Sequence, residues 1–277
     1  MFLSLTTIFF FVGMAIAATG VLGLVVFLNN PRSSTSRAFF LFAFITLVWD
    51  TVIFLNHYVY VSEIAFFLMR LAIFIAVWHA FSLFHLLYVF PLESIRYPRW
   101  YFWALVPAMI ITSFLNLTPL VLQEIGEVSS EGHIVRIING PGIALFILAA
   151  LGLIFSALCI LWRKSNQAEG VVKRQFHAIL TGLMITFSLL IVFHFALPSL
   201  FDDPRFLPFS AFFFFPFLLS GFYAILRHNL LNSKMLSAQI VVLLVTVITF
   251  FEVFLSSDIL TFIVRVVIFA LVLTSGI

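Results

Sequence analysis

Two opposite charges, Asp50 and Arg70, lie inside apolar segments that are long enough to cross a membrane. Asp50 is about six residues from the end of one segment and Arg70 about six residues into the next, which places both roughly 9 Å below the same surface. A charge within a bilayer costs about 2.5–3.5 kcal/mol and is expected to find a partner or water. The spacing predicts an intramembrane polar pair, serving either as a structural salt bridge or as a polar pocket or switch.

A second polar pair, Glu252 and Arg265, is predicted near the C-terminus. Each residue is a few positions from the turn at Ser256–Asp258, so the two side chains lie at a similar depth. Structural pairing is one interpretation. The other is that Arg265 extends its guanidinium to the interface while its stem stays in lipid.

The histidines offer a third chemistry, because their charge changes near neutral pH. His57 and His194 lie near the ends of their segments on one side, where Trp49 also lies, and these three residues form a candidate sensing region. Ordinary interfacial histidines are the alternative. His79 and His85 are six residues apart and therefore lie on different helix faces, so they predict no metal site. The Phe-rich run at 210–219 indicates packing or lipid contact, with an aromatic ligand box as the alternative.

The elements that position these residues must be membrane helices. Of the 277 residues, 64% are hydrophobic and only 9% are charged, an excess that a soluble core cannot hide. The net charge of +3 comes from residues between apolar runs, so it predicts membrane orientation and no nucleic-acid partner. No cofactor is expected. A retinal Schiff base needs a lysine within a span, and Lys164, Lys173 and Lys234 all fall in predicted loops.

Nine apolar segments are long enough to be helical spans in lipid. They are residues 4–28, 38–56, 64–90, 101–118, 142–162, 176–197, 206–226, 237–255 and 259–275. The predicted fold is all-α: a seven-span bundle over residues 1–234, followed by a transmembrane hairpin over 235–277 that leads to an output domain. The loop from 118 to 142 is expected to hold a short β-hairpin or a helix on the membrane surface.

Basic residues fall on alternate loops. Ten of the fourteen occupy one set of loops, two occupy the other set, and Arg70 and Arg265 lie inside spans. Basic loops remain in the cytoplasm, so the N-terminus is expected outside and the C-terminus inside the cell.

Three stretches carry a resemblance to a known family: NNPRSSTSRAFFLFAFITLVWD (29–50), GVVKRQFHAILTG (170–182) and, most specifically, GFYAILRHNLLNSKML (221–236). The chain resembles the N-terminal seven-helix membrane region of prokaryotic sensor histidine kinases. The resemblance implies a sensor module in the cell membrane that responds to an unknown small-molecule or membrane signal. It also implies a signalling joint at Tyr223, Arg227, His228 and Lys234, a downstream kinase domain, and homodimerisation through that domain.

The signalling role is inferred from the resemblance, whereas composition and charge predict only the topology. A small multi-pass transporter or a membrane-embedded enzyme is the alternative, and it would need polar groups that converge near mid-membrane. An inert scaffold that recruits partners is a third interpretation. The sequence shows no Gly-rich phosphate loop, paired catalytic carboxylates or Ser-His-Asp arrangement.

Overall fold

The computed structural model describes residues 5–59, 61–128, 134–197, 206, 209–228, 249 and 259–275. Within these residues the chain is almost wholly helical. The helices are α1 (Leu5–Asn29), α2 (Ser34–Tyr58), α3 (Ser62–Val89), α4 (Val106–Leu115), α5 (Ile143–Gln167), α6 (Gly170–Leu190), α7 (Ser210–His228) and α8 (Ile259–Ser275). A π-helical turn at Tyr101–Leu105 leads into α4, and another at Ile191–Ala196 extends α6.

Five of the described helices, α1, α2, α3, α5 and α6, are long and apolar enough to cross a membrane. Shorter apolar helices occupy Tyr101–Leu115, Ser210–Ile225 and Ile263–Val272. The prediction of an all-helical fold with apolar helices of membrane-spanning length is therefore confirmed. The count of seven spans plus a hairpin stays a prediction, because the segment predicted over 237–255 lies outside the described residues except for residue 249.

Successive helices run up and down, so their ends gather at two sides. At one side the start of α2 meets the chain just after α3: the Ser34 amide donates to the Glu93 carbonyl at 2.7 Å, and the Thr35 hydroxyl donates to the Leu92 carbonyl at 2.8 Å. The end of α5 reaches the same place through Lys164. We call this side the basic end, since it carries the basic loops.

The opposite side, the hairpin end, carries the two strands β1 (Leu122–Val128) and β2 (Ile134–Asn139), which pair antiparallel. Of the two structures expected for this loop, the hairpin is the one that forms. Its base closes where the Gly140 amide donates to the Val121 carbonyl at 2.9 Å. A side chain at Gly140 would lie 2.7 Å from the Pro119 carbonyl oxygen, so only glycine fits there.

The core is a layer of aromatic and small side chains between the helices. Among the described residues, the largest side chains that are completely buried include Phe39, Phe42, Phe90 and Phe217. The lipid side of the bundle is also apolar, and Trp103, Leu148 and Phe155 are exposed there. This distribution is expected for helices whose solvent is hydrocarbon.

Candidate functional site

A partly open pocket of about 170 Å³ lies between α2, α3, α5, α6 and α7. Its wall is almost wholly apolar, and His79 is the titratable side chain in it; we call it the His79 pocket. The lining residues are Phe42, Trp49, Ala76, His79, Ala80, Leu83, Ala150, Ile154, Leu183, Thr186, Phe187, Leu190, Phe214 and Phe217.

The His79 imidazole is held in a cluster of rings from two other helices. It is nearly parallel to Phe42, with centroids 5.0 Å apart, and to Trp49, with centroids 5.6 Å apart. Phe214 of α7 meets the same imidazole edge-on at 4.8 Å. Phe42 and Trp49 are seven residues apart and so share one face of α2, which is the face turned to α3. The rings therefore connect α2, α3 and α7 around one histidine.

The Thr46 hydroxyl determines which nitrogen of His79 carries a proton. It lies 2.8 Å from the Phe42 carbonyl oxygen and 2.9 Å from Nε2 of His79. A hydroxyl has one proton, and a carbonyl can only accept. Thr46 thus donates to Phe42 and accepts from the Nε2–H of His79. The Nε2–H of His79 is therefore occupied, whereas its Nδ1 is left unprotonated as an acceptor.

Asp50 lies outside this pocket, although Trp49 beside it is part of the lining. Its side chain is wholly buried, and neither carboxyl oxygen completes a hydrogen bond. The polar side chain nearest to this carboxyl is that of Ser210, at the start of α7. The Ser210 hydroxyl is also buried without a hydrogen-bond partner of good geometry. Asp50 is seven residues from Ala43, which packs against Gly23 of α1. It therefore faces α1 and α7 rather than α3.

Arg70 has different partners from the one predicted. Its Nη2 donates to the Leu122 carbonyl at 2.7 Å and to the Gln123 carbonyl at 3.4 Å, and its guanidinium lies 4.4 Å above the Phe66 ring. The structure does not bring Asp50 and Arg70 together: both Asp50 carboxyl oxygens lack a hydrogen-bond partner, while Arg70 donates to backbone carbonyls of the hairpin. Arg70 instead fastens β1 to α3.

Helices α6 and α7 are in unusually close contact beside the pocket. A Cβ built on Gly182 would lie 2.6 Å from Cβ of Ser220 and 2.7 Å from the Pro216 carbonyl oxygen. Pro216 is inside α7, where it cannot donate a helical hydrogen bond and its ring crowds the carbonyl four residues earlier. The amide of the next residue, Phe217, donates to the buried Thr186 hydroxyl at 3.2 Å. This contact, the α6–α7 seam, ties the weakened turn of α7 to α6.

At the basic end, Lys164 joins α5 to α3. Its ammonium donates to the carbonyls of Leu87, Tyr88 and Phe90 at 2.9, 2.7 and 2.5 Å. These are the last carbonyls of α3, which have no acceptor role within the helix and attract cations. The sequence prediction that placed Lys164 in a loop was wrong, because α5 continues to Gln167.

An aromatic cluster surrounds this anchor. His85 Nδ1 lies 2.6 Å from the Tyr101 hydroxyl, and the His85 ring is stacked on Tyr97 with centroids 5.8 Å apart. Burial, with a smaller contribution from Tyr88, raises the pKa of the Tyr97 hydroxyl. Tyr97 is therefore a neutral group across the physiological pH range.

The remaining predicted site residues are only partly within the described structure. Tyr223 is on α7, exposed at 37% and engaged in an interaction. Arg227 and His228 form the last positions of α7, His57 is in α2 and His194 is in the π-helical turn after α6, but the side chains of these four lie outside the described residues. Lys234 and Glu252 lie wholly outside them, so the Glu252–Arg265 pair and the joint stay predictions; Arg265 itself is on α8 and has an interaction.

Sequence reasoning grouped Trp49 with His57 and His194 and did not include His79, the residue on which Trp49 stacks. His79 was set aside because it matched no metal-ligand spacing, and its aromatic neighbours come from α2 and α7, far away in the sequence. The Phe-rich run supplied the other signal, since Phe214 and Phe217 do line a box. Within the described ranges, no three His, Cys, Asp or Glu residues lie close enough to hold a metal ion.

One comparison with known proteins gives a match. The family model described as the N-terminal 7TM region of histidine kinase matches residues 11–234. This confirms the resemblance that the three sequence stretches carry. Comparisons with curated proteins and with solved structures gave no significant match.

Proposed function

Because the chain belongs to the family of N-terminal 7TM regions of histidine kinases, we propose that it is the membrane sensor module of a two-component signalling protein. It receives a signal in the interior of the helix bundle and passes it to the kinase domain of the same protein. The His79 pocket is the receiving site.

The observation that carries this proposal is the course of α7. One end of α7 lines the pocket through Phe214 and Phe217, and the other end carries Tyr223 and the joint at Arg227. A single helix therefore extends from the cavity to the basic end. The Phe217–Thr186 hydrogen bond at Pro216 is the place where a change in the pocket would alter the direction of α7.

The charges support an orientation with the basic end in the cytoplasm. Ten of the fourteen basic residues fall at the loops and helix ends that the sequence assigns to that side and two at those of the other, a bias that keeps the first set inside. In this orientation the bundle over 1–234 has its N-terminus outside. The segment 235–277 crosses the membrane twice and delivers the C-terminus to the cytoplasm, where the kinase domains form a homodimer.

The test is a fusion of the whole chain, after Ile277, to a cytoplasmic histidine kinase domain, with autophosphorylation measured in membrane vesicles. Thr186→Val keeps the shape of the side chain but removes the acceptor for the Phe217 amide. We expect this change to shift basal autophosphorylation several-fold. An unpaired buried amide typically costs about 1–3 kcal/mol, which would favour a different direction of α7 at Pro216.

Thr51→Val is the matched control. The Thr51 hydroxyl donates to the Leu47 carbonyl within the same helix at 2.8 Å, so its loss leaves the α6–α7 seam intact. Equal autophosphorylation in the wild type, Thr186→Val and Thr51→Val would show that α7 does not transmit the signal. A fusion that is inactive in vesicles although its kinase domain is active alone would contradict the proposed orientation.

A further inference from the structure

We propose that the His79 pocket binds an uncharged, planar aromatic molecule of one ring or two fused rings. The proposal rests on the proposed function for the consequence of binding, which is signalling. The binding itself is argued from the volume, the wall and the ring geometry of the pocket, and it is measured without any kinase domain.

The volume limits the ligand to a small molecule. The cavity measures about 170 Å³. An apolar protein cavity of about 150 Å³ lined by Leu, Ile and Phe stays dry and takes up benzene. The His79 pocket is slightly larger and is lined mostly by apolar side chains, so it accommodates a substituted benzene or a small bicyclic molecule. A whole lipid chain or a polycyclic molecule is too large.

The wall excludes charge. Apart from Thr186, His79 and the indole N–H of Trp49, the lining side chains are apolar. The Nε2–H of His79 is already donated to Thr46, and the Thr186 hydroxyl is already the acceptor for the Phe217 amide. A carboxylate or ammonium ligand would lose its hydration and find no counter-ion among the lining residues. The ligand is therefore neutral.

The ring geometry favours a flat ligand over a saturated one. Phe42, His79 and Trp49 form a stack in which the histidine plane is tilted by 20° from Phe42 and by 18° from Trp49. Phe214 and Phe217 meet this stack edge-on, at 86° to Trp49 and 88° to Phe42 respectively. Aromatic pairs prefer offset-stacked and edge-to-face contacts, and this wall offers both to an incoming ring.

The membrane is the reservoir from which such a ligand arrives. Ala150 and Ile154 of α5 line the pocket, and Leu151 and Phe155, their sequence neighbours, are exposed on the lipid side at 60% and 68%. The partly open pocket therefore lies beside the hydrocarbon that surrounds α5. A neutral aromatic molecule concentrates in that hydrocarbon because burial of apolar surface is favourable.

The test uses the whole chain in nanodiscs with fluorobenzene as the probe, observed by ¹⁹F NMR. We expect a bound resonance in the wild type that toluene displaces at about one fifth of the concentration that methylcyclohexane requires, since the saturated ring loses the aromatic contacts. Benzoate is expected to displace nothing. Displacement by toluene, methylcyclohexane and hexadecane at equal concentrations would overturn the proposal and identify lipid hydrocarbon as the occupant. So would the absence of a bound resonance.

Two variants with opposite effects show where the probe binds. Ala150→Phe fills the pocket and is expected to abolish the bound resonance, whereas Ala144→Phe, at an exposed position of the same helix, is expected to keep it. Phe187→Ala enlarges the pocket and is expected to admit phenanthrene, which the wild type excludes. A bound resonance that survives Ala150→Phe in folded protein, together with no gain of phenanthrene in Phe187→Ala, would place the probe elsewhere and overturn the proposal.

These outcomes separate the two proposals. Loss of probe binding contradicts the ligand class but leaves the Thr186→Val result on the kinase fusion untouched. Probe binding that leaves the autophosphorylation of the fusion unchanged contradicts the sensing role and leaves the ligand class standing.

Discussion

The α6–α7 seam makes Gly182→Ala the most informative packing change. The added methyl would lie 2.6 Å from Cβ of Ser220 and 2.7 Å from the Pro216 carbonyl oxygen. The Ser220 hydroxyl can rotate away, but its Cβ and the Pro216 backbone cannot, so the helices must separate. Overpacking of this kind typically costs about 1–3 kcal/mol.

Gly152→Ala is the control that isolates this cost. A Cβ built on Gly152, which is on α5, meets no heavy atom within 4 Å. Both changes gain the same helix propensity, roughly 0.8–1 kcal/mol, so the difference between them measures the contact alone. We expect Gly182→Ala to be less stable than Gly152→Ala by about 1–3 kcal/mol, measured by SDS titration of the purified protein.

A second change tests the cause. Ser220→Gly removes the Cβ and the hydroxyl that the new methyl would meet, and we expect it to restore part of the stability of Gly182→Ala. The Pro216 carbonyl oxygen remains, so the recovery is incomplete. Equal stability of Gly182→Ala and Gly152→Ala would refute the close packing of the seam and, with it, the route from the pocket through α7.

Two further changes test the polar contacts. Lys164→Met leaves the last carbonyls of α3 without their cation and is expected to lower the free energy of unfolding by roughly 1.5–3 kcal/mol. Lys173→Met, at an exposed position, should have little effect, and equal losses would contradict the anchor. Asp50→Asn and Arg70→Met are expected to add within about 0.5 kcal/mol in a double-mutant cycle, because they share no partner. A double variant that loses much less stability than the sum of the two single variants would show that Asp50 and Arg70 do form an ion pair.

The sequence was sufficient for the positions of the helices but not for the direction of their side chains. Hydrocarbon requires long apolar helices, so the segments predicted for α2, α3 and α5 lie close to the observed ones. Counting residues from a helix end predicts depth: Asp50 precedes the end of α2 at Tyr58 by as many residues as Arg70 follows the start of α3 at Ser62. It gives no rotation about the axis: Trp49 turns to α3, and Asp50, one residue on, turns about 100° away. Depth alone therefore predicted a pair that the structure does not form.

The family could be recognised from the sequence because the residues that carry the resemblance are contiguous. Short stretches such as that at 221–236 are contiguous in the sequence and can be compared directly, and the family model matches through residue 234. The residues of the His79 pocket are not contiguous in the sequence, because its rings come from α2, α3 and α7 and meet only when the helices pack. Sequence thus identified the class of protein, and only packing could locate its cavity.

The proposed route through α7 is mechanically adequate. His228 is twelve residues beyond Pro216, which is about 18 Å along a helix. A pivot of about 5° at the proline would displace the end of α7 by roughly 1.5 Å, within the shifts of about 1–2 Å by which packed helices switch between states. The Phe217–Thr186 contact lies one residue from the pivot, and Phe214 and Phe217 lie on either side of it in the pocket wall. A pivot of only a few degrees at Pro216 would therefore be enough to carry a change in the pocket to the joint.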